Sequence, residues 1–400
     1  MISVDEALER ILAAVPQPGA ETVPLANAHG RILAAPLTAA HSQPPFDSSA
    51  MDGYAVRADD VFPGRPLRLA GTAQAGQRFI GMMERGQCVR IFTGAPLPIG
   101  SDAVIMQEEA TARGAMVSFE KAVRPWQSIR RRGGDFGEGE MLLPVGTRLT
   151  PAALALAAAA NRPRLSVTTL PSIALLATGD ELVPLGSTLG PDQIVASNSY
   201  GLTPMLAPLA GEIRDLGIVP DDPGELDAAL LAAFDSGIEV IVTTGGASVG
   251  ERDHVREVLI DLGVDLQFWK IAMRPGKPLM FGVRGRTLVF GLPGNPVSAM
   301  VTATVLLLPA LRHMAGDPYP FRDRHSVPLA ANLSANGPRR HFQRGCLGRN
   351  ELGYLEVTPS SETDSAHTAS LARADVLIVQ PEDHPGGSIG EMIEVIPLPT

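Results

Sequence analysis

Ile238-Glu-Val-Ile-Val-Thr-Thr-Gly-Gly-Ala-Ser-Val-Gly250 is the stretch on which the fold turns. Its first six residues are a short run of mostly β-branched apolar side chains. That composition marks a strand buried on both faces. The glycines that follow make a tight turn, and Asp253 to Leu262 reads as a helix. A strand, a glycine-rich turn and a helix form one half of a βαβ unit.

The same grammar recurs on either side. Ile173 to Thr178 is wholly apolar up to its last residue and runs into Thr178-Gly-Asp-Glu181. A helix is expected near 198–210, a strand over Ile213 to Val219, and a helix over Glu225 to Phe234, where Leu226, Leu230 and Phe234 fall at helical spacing. Leu288 to Phe290 leads through Pro293-Gly-Asn-Pro296 into another helix. Strands alternating with helices predict right-handed crossovers and a parallel sheet. The fold class is therefore α/β and multidomain, with the α/β domain at 172–318.

Other regions differ in texture. Ser3-x-x-Glu6 is a capping box opening an amphipathic helix with Val4, Leu8, Ile11, Leu12 and Val15 on one side. Residues 1–40 and 146–171 read as a helical, linking domain, with Thr150 capping a helix over Pro151 to Ala160. Residues 41–145 carry Gly and Pro between short β-like runs (Ala103 to Met106, Met116 to Phe119, Met141 to Val145) and predict an elongated β-rich domain. Residues 325–400 predict a small C-terminal β-barrel or sandwich.

Composition sets limits. The chain has 400 residues, 45% hydrophobic and 19% charged, which excludes a disordered chain. Its net charge of −10 argues against nucleic-acid binding, which needs a basic face. Two cysteines, Cys88 and Cys346, are too few for a disulfide framework. The charge-free run Thr287 to Leu311 is long enough for a bilayer, but Pro293-Gly-Asn-Pro296 interrupts it, so strand, loop and helix are expected rather than a membrane span. The beginning of the chain lacks a signal-peptide pattern, and a cytoplasmic setting is expected.

Ligands of open parallel sheets bind outside the carboxyl ends of the strands, and here each such end carries polar residues. Gly245, Gly246 and Ser248 suit a phosphate cradle, as do Gly294 and Asn295 before the helix at Pro296. Any glycine-rich strand-to-helix turn shares that look, so the weight lies in their joint occurrence. Glu181, Asp221 and Asp253 are candidates for acid–base work or Mg²⁺ binding; helix capping is the plainer alternative for the aspartates. Arg274-Pro-Gly-Lys277 places two cations around one turn, suited to an oxyanion or to a solvated hairpin tip. Asp47-Ser-Ser-Ala-Met-Asp-Gly-Tyr54, Thr93-Gly-Ala-Pro96 and Arg130-Arg-Arg-Gly-Gly-Asp135 lack periodicity and stand out in the β-rich region. These residues predict an enzyme handling a small phosphorylated anion.

The motifs Ser49-Ala-Met-Asp-Gly-Tyr-Ala55, Phe92-Thr-Gly-Ala95, Arg130 to Asp135, Ala177-Thr-Gly-Asp-Glu-Leu182, Ser197-Asn-Ser, Thr244 to Gly250 with Asp253, Arg274 to Pro278 and Leu292 to Ser298 resemble, in order, those of the molybdopterin molybdenumtransferases (MoeA in bacteria, the gephyrin E domain in animals). Phe342-Gln-Arg344 and Ser370-Leu371 extend the likeness more weakly. The resemblance implies insertion of molybdate into the dithiolene of adenylylated molybdopterin, with Mg²⁺ and release of AMP. It implies catalytic roles for Glu181, Asp221, Asp253, Asp52, Thr93 and Asp135, with Mg²⁺ on Asp221, Asp253 and Glu181. Substrate would contact Gly245, Gly246, Ser248, Asp180, Ser197, Asn198, Pro293, Gly294, Asn295 and Pro296. Molybdate would sit among Arg274, Lys277, Ser298, Arg344 and Ser370. A homodimer with shared sites and transient contact with other cofactor-synthesis enzymes are also implied. Arg274 stands where the family commonly has Lys, Ser48 where it has Asn, and Gly134 where it has Glu. A molybdopterin adenylyltransferase and a non-catalytic scaffold are the competing readings.

Overall fold

The computed structural model describes residues 1–246, 254–321 and 324–399. The chain divides into two compact units: Met1–Glu21 with Gly30–Ile32 and Thr168–Thr400, and Thr22–His29 with Leu33–Val167.

The first unit is built on a six-stranded sheet. Its strands are β1 (Ser172–Thr178), β2 (Glu212–Val219), β3 (Val240–Thr244), β4 (Asp265–Phe268), β5 (Met280–Arg284) and β6 (Thr287–Leu292), in the order β2-β1-β3-β6-β5-β4. β2, β1, β3 and β6 run parallel; β5 is antiparallel to β6 and β4 antiparallel to β5, so β5 alone runs against the others. The expected parallel sheet is present in β2, β1, β3 and β6, and the sequence reading does not include β5 and β4, which extend it. β5 and β6 are joined by only Gly285 and Arg286, with Gly285 at φ +61°, and so short a connection admits no crossover. All of β3 is buried, but β2 is an exposed edge with charged residues on it.

Helices cover both faces. α1 (Val4–Ala14) starts where the Ser3 hydroxyl accepts the Glu6 N–H at 3.0 Å. It buries Val4, Ala7, Leu8 and Ile11, while Leu12 and Val15 are only half-buried. α2 (Asn198–Leu206) and the 19-residue α5 (Pro296–Met314) share that face, packed on Phe281 and Phe290. α3 (Pro223–Asp235), capped by Asp222, and α4 (Val255–Asp261) cover the other face with Leu226, Leu230, Val255 and Leu259. The helix over Asp253 to Leu262 is thus seen from Val255; Asp253 lies outside the described residues. α5 is long and apolar enough to cross a membrane, yet it is mostly buried within this unit. Its middle widens into a π-helical turn, Ala303–Leu307, ahead of Pro309. Proline has no N–H to give to the preceding turn, which accounts for the widening.

The tail strands His325–Pro328, Arg340–Arg349, Leu355–Pro359, Val376–Gln380 and Met392–Pro397 form a second sheet. A bridge between Leu329 and Val357 brings its ends together, so the sheet closes as a small barrel. Met273–Arg274 joins it too, pairing Met273 with Arg340 and Arg274 with His341.

The second unit carries another six-stranded sheet, with Gly53–Val56 between Ala103–Met106 and Gln87–Ile91. Its helix Pro151–Ala159 is capped by the Thr150 hydroxyl. The strand expected over Met141 to Val145 ends at Leu143, because Pro144 has no N–H for the ladder.

Phe290 is fully buried, with ring centroids of Phe281 and Phe290 5.0 Å apart. Phe290→Ala should destabilise the first unit by about 3–5 kcal/mol, read by urea unfolding. A loss below ~1 kcal/mol would show that this face is not the tightly packed core described.

Candidate functional site

The turns that end β1, β2, β3 and β6 meet at one edge of the sheet. The Thr178 hydroxyl donates to Asp221 Oδ1 at 2.6 Å, and the Asp221 N–H donates to Asp180 Oδ1 at 3.1 Å. Gly245 (φ +94°) lies against β1: a Cβ there would stand 2.1 Å from the Thr178 carbonyl oxygen. At Gly246 (φ +59°) a Cβ would stand 2.3 Å from Val255 Cγ2. Both positions therefore require glycine. Gly245 N–H donates to Leu292 O at 3.3 Å, and Asn198 Nδ2 donates to Gly294 O at 2.8 Å. Thr178, Asp180, Asp221, Gly245, Gly246, Gly294 and Asn198 are thus linked. Ser248 and Asp253 lie outside the described residues. Glu181 is exposed, its carboxylate folded back over Gly179.

Beside these turns lies a cleft of about 380 Å³. Gly246, Pro293, Gly294, Asn295 and Ser298 line it from the sheet side, and Arg274, Pro275, Gly276, Lys277 and Pro278 from the cationic turn. Gly276 fixes that turn at φ +102°, where a Cβ would meet Thr302 Cγ2 at 2.3 Å. Arg339, Thr363 and Ser365 of the tail complete the wall. Among the described residues the lining holds three cations, three hydroxyls and no carboxylate, and the N-terminus of α5 adjoins it. Such a lining favours an anion.

Sequence reasoning missed Arg339, Thr363 and Ser365. The Arg339-Arg340 pair was the one available signal for the first, whereas the others depend on pairing between distant segments. Asn295 Nδ2 donates to Ser365 Oγ at 2.9 Å, tying the tail loop to the sheet turn.

Arg344 and Ser370 do not line the cleft. The Arg344 guanidinium is buried and donates to the carbonyls of Asp364, at 3.0 Å, and Glu362. It holds the loop that carries Thr363 and Ser365. The Ser370 hydroxyl is buried and donates to His367 O at 2.7 Å. Ser197, Asn198 and Pro296 border a second, more apolar hollow of about 390 Å³ with Met205, Met300, Leu371 and Leu398.

His341 lies 6% exposed behind the cationic turn, with Nδ1 3.1 Å from Gln380 Oε1. Burial, reinforced by the Arg274, Arg339 and Arg344 guanidiniums, pushes its pKa down to about 4. The imidazole is neutral at pH 7 and leaves the positive field to the arginines and Lys277.

In the second unit, three motifs converge. Thr93 donates both its N–H and its hydroxyl to Asp52 Oδ1, each at 2.7 Å. These bonds hold the Asp52 carboxyl below its ordinary range. Gly94 N–H donates to Ser49 O at 2.9 Å, and Ser48–Ser49 pairs with Ile129–Arg130. Asp135 is exposed, its N–H donating to Gln43 O at 2.9 Å. Arg90 lies between the rings of Tyr54 and Phe92, 5.1 and 4.8 Å from their centroids.

Comparison with known proteins now bears on this geometry. Residues 2–161 match the family described as MoeA N-terminal region (domain I and II), 174–313 the probable molybdopterin binding domain, and 326–398 the MoeA C-terminal region (domain IV). A molybdopterin molybdenumtransferase of Haemophilus influenzae is 36% identical over 100% of this chain and 99% of its own. One from Synechococcus elongatus is 39% identical over 99% of each. The chain belongs to the molybdopterin molybdenumtransferase family. Its fold agrees: a MoeA structure from Pyrococcus horikoshii OT3 superposes with a TM-score of 0.84 at 27% identity, covering 99% of this chain and 100% of that one. Within this family fold, the strand-end glycines, the cationic turn and the Asp52–Thr93 pair all fall on motifs that the sequence singled out.

Because His341 stays neutral until pH falls near 4, while a histidine in unfolded chain protonates near 6.5, acid favours the unfolded state across that window. The first unit should lose about 3 kcal/mol between pH 7 and pH 4 from this residue. His341→Gln should flatten that part of the profile, read by urea unfolding at a series of pH values; an unchanged slope would contradict the burial argument.

Proposed function

We propose that this chain transfers molybdenum from molybdate to adenylylated molybdopterin and releases AMP. One observation carries the reading: a cleft lined, among the described residues, by cations and hydroxyls and by no carboxylate opens beside a group of strand-end acids and close-approach glycines. Family membership gives the class of chemistry, and the arrangement suits both halves of it.

Molybdate is a tetrahedral dianion. Arg274, Lys277 and Arg339 attract it, and Ser298, Thr363 and Ser365 offer hydroxyl donors of the right reach. Their arrangement around a concave wall orients an oxyanion rather than merely concentrating it. Gly245 and Gly246 let a phosphate come close to the backbone, as side chains there could not. Asp221 is fixed by the Thr178 hydroxyl on Oδ1, and its other oxygen, without a hydrogen bond among the described residues, suits water or a cation.

Mg²⁺ fits the residues present. Among the described residues no three His, Cys, Asp or Glu come together as a metal cluster. Mg²⁺ nonetheless takes only one or two carboxylates and completes its shell with water and substrate phosphates. Asp221, Glu181 and Asp253 would hold it, the last outside the described residues, with Asp180 alongside Asp221. When bound it neutralises charge on the phosphoanhydride. Asp180 and Asp221 sit on the strand-end turns and not in the described lining of the cleft, which limits their repulsion of a dianion there.

The rival reading as an adenylyltransferase leaves the cationic cleft without a task. A cytoplasmic setting and a homodimer with shared sites belong to the proposal.

Lys277→Gln should raise the molybdate concentration for half-maximal turnover about tenfold with little change at saturation, since it removes one charge-assisted contact. An unchanged molybdate dependence would remove Lys277 from the oxyanion site. For shared sites, Asp52→Asn and Asp221→Asn proteins should each be nearly inactive. Mixed and allowed to exchange subunits, they should recover activity, because one site of each mixed dimer would have both acids. Failure to recover despite exchange shown by native mass spectrometry would rule out sharing.

A further inference from the structure

Four non-glycine residues among those described have positive φ: Trp126, Ser128, Asn161 and Asp383. Asn and Asp tolerate the left-handed region because their short side chains bond locally. Trp and Ser do not share that tolerance, and the two sit in one three-residue segment, at φ +69° and +56°. A bulky side chain in this conformation is strained. Burial does not compensate for the strain, since Trp126 is 45% exposed.

The segment is held by its surroundings. Trp126 N–H donates to Asp102 O at 2.6 Å, Gln127 O accepts from Val104 N–H at 3.0 Å, and Ser128 O accepts from Ala50 N–H at 2.8 Å. Ala50 lies in the motif that carries Asp52, and Ile129–Arg130 continues into pairing with Ser48–Ser49. The strained segment is therefore fixed to the site strand of the second unit. Arg131 lies over the indole, its Cζ 4.5 Å from the ring centroid, and Arg130 and Arg132 flank it in the chain. Strain that persists beside a functional motif without packing to explain it points to use of the side chain.

We propose that Trp126, steadied by Arg131, is a stacking platform for a planar heterocycle that carries phosphate. An exposed indole offers a π-face to any base, and the adjacent guanidiniums suit its phosphate. The proposal rests on the function put forward above and deepens it: the substrate has two such ends, an adenine and a pterin. Trp126 acts as a positioning residue for one of them, and its effect falls on binding rather than on the chemical step.

The test uses the full chain in a Trp269→Phe background, which leaves Trp126 as the sole tryptophan. AMP and a pterin monophosphate are titrated while indole fluorescence is followed, and turnover of adenylylated molybdopterin is measured for Trp126→Gly and Trp126→Phe. Quenching by one of the two probes identifies which end stacks. Trp126→Gly should raise KM about fivefold to a hundredfold with kcat within about twofold, Trp126→Phe should retain most of the affinity, and Trp126→Gly should unfold at a higher temperature because the strain is gone. Quenching by neither probe overturns the platform. So does an unchanged KM in Trp126→Gly, or a fall in kcat together with a lower unfolding temperature. Absence of turnover in the parent protein counts against the proposed function alone, and the fluorescence titrations then decide the platform by themselves.

Discussion

Everything on the cation-lined side depends on one short β pairing. Met273–Arg274 leaves the neighbourhood of the α/β sheet and pairs with Arg340–His341 of the tail barrel. The Ala272 carbonyl accepts the Arg340 N–H at 3.0 Å, and the Ile2 carbonyl accepts the Ala272 N–H at 2.8 Å. Arg340 then forks onto Asp5 of α1, at 2.6 and 2.8 Å. Bidentate pairs fix direction as well as distance. The start of the chain, the middle and the tail are bound at one point, and the turn Arg274 to Pro278 is aimed from there. That pairing sets Arg339 beside the cationic turn, while the Asn295–Ser365 bond ties the loop 362–365 to the start of α5.

The opposite wall is set by close approach instead of charge. Gly245 and Gly246 allow the ends of β1 and β3 and the start of α4 to crowd together, whereas a Cβ at Gly294 would make only ordinary contact, 3.5 Å from the Gly245 Cα. Such crowding leaves backbone amides, not side chains, at the surface where a phosphate would lie. The two walls thus rest on different physics. One needs long flexible cations held by a distant strand, and the other needs the absence of side chains.

Most of the sheet wall was legible in the sequence. Short apolar runs ending in Gly, Asp or Asn announce strand ends by local chemistry, and Thr178, Gly245 and Gly294 fall there. Family motifs marked Asp52 and Thr93, which local pattern alone left unexplained. The tail's contribution was not legible, because Arg339, Thr363 and Ser365 are brought to the cleft by pairings between residues far apart in the chain. Arg344, which the family resemblance set beside molybdate, gives Nη1 and Nη2 to the backbone carbonyls of Asp364 and Glu362 and does not line the cleft. β4 and β5 escaped notice because their apolar runs are short and the turn between β5 and β6 is only two residues. The backbone angle at Trp126 is a property no residue type announces.

The lining, free of carboxylates among the described residues, also has a bearing on discrimination. Long-range attraction reads charge, and sulfate and hydrogen phosphate have much the same charge and tetrahedral outline as molybdate. On the function proposed above, a wall of guanidinium, ammonium and hydroxyl groups would attract all three alike. Sorting among them must fall to bond lengths at contact range and to what the captured ion does next, since only a metal centre can exchange its oxygens for sulfur ligands. Buffers rich in sulfate should for the same reason behave as reversible competitors at this wall.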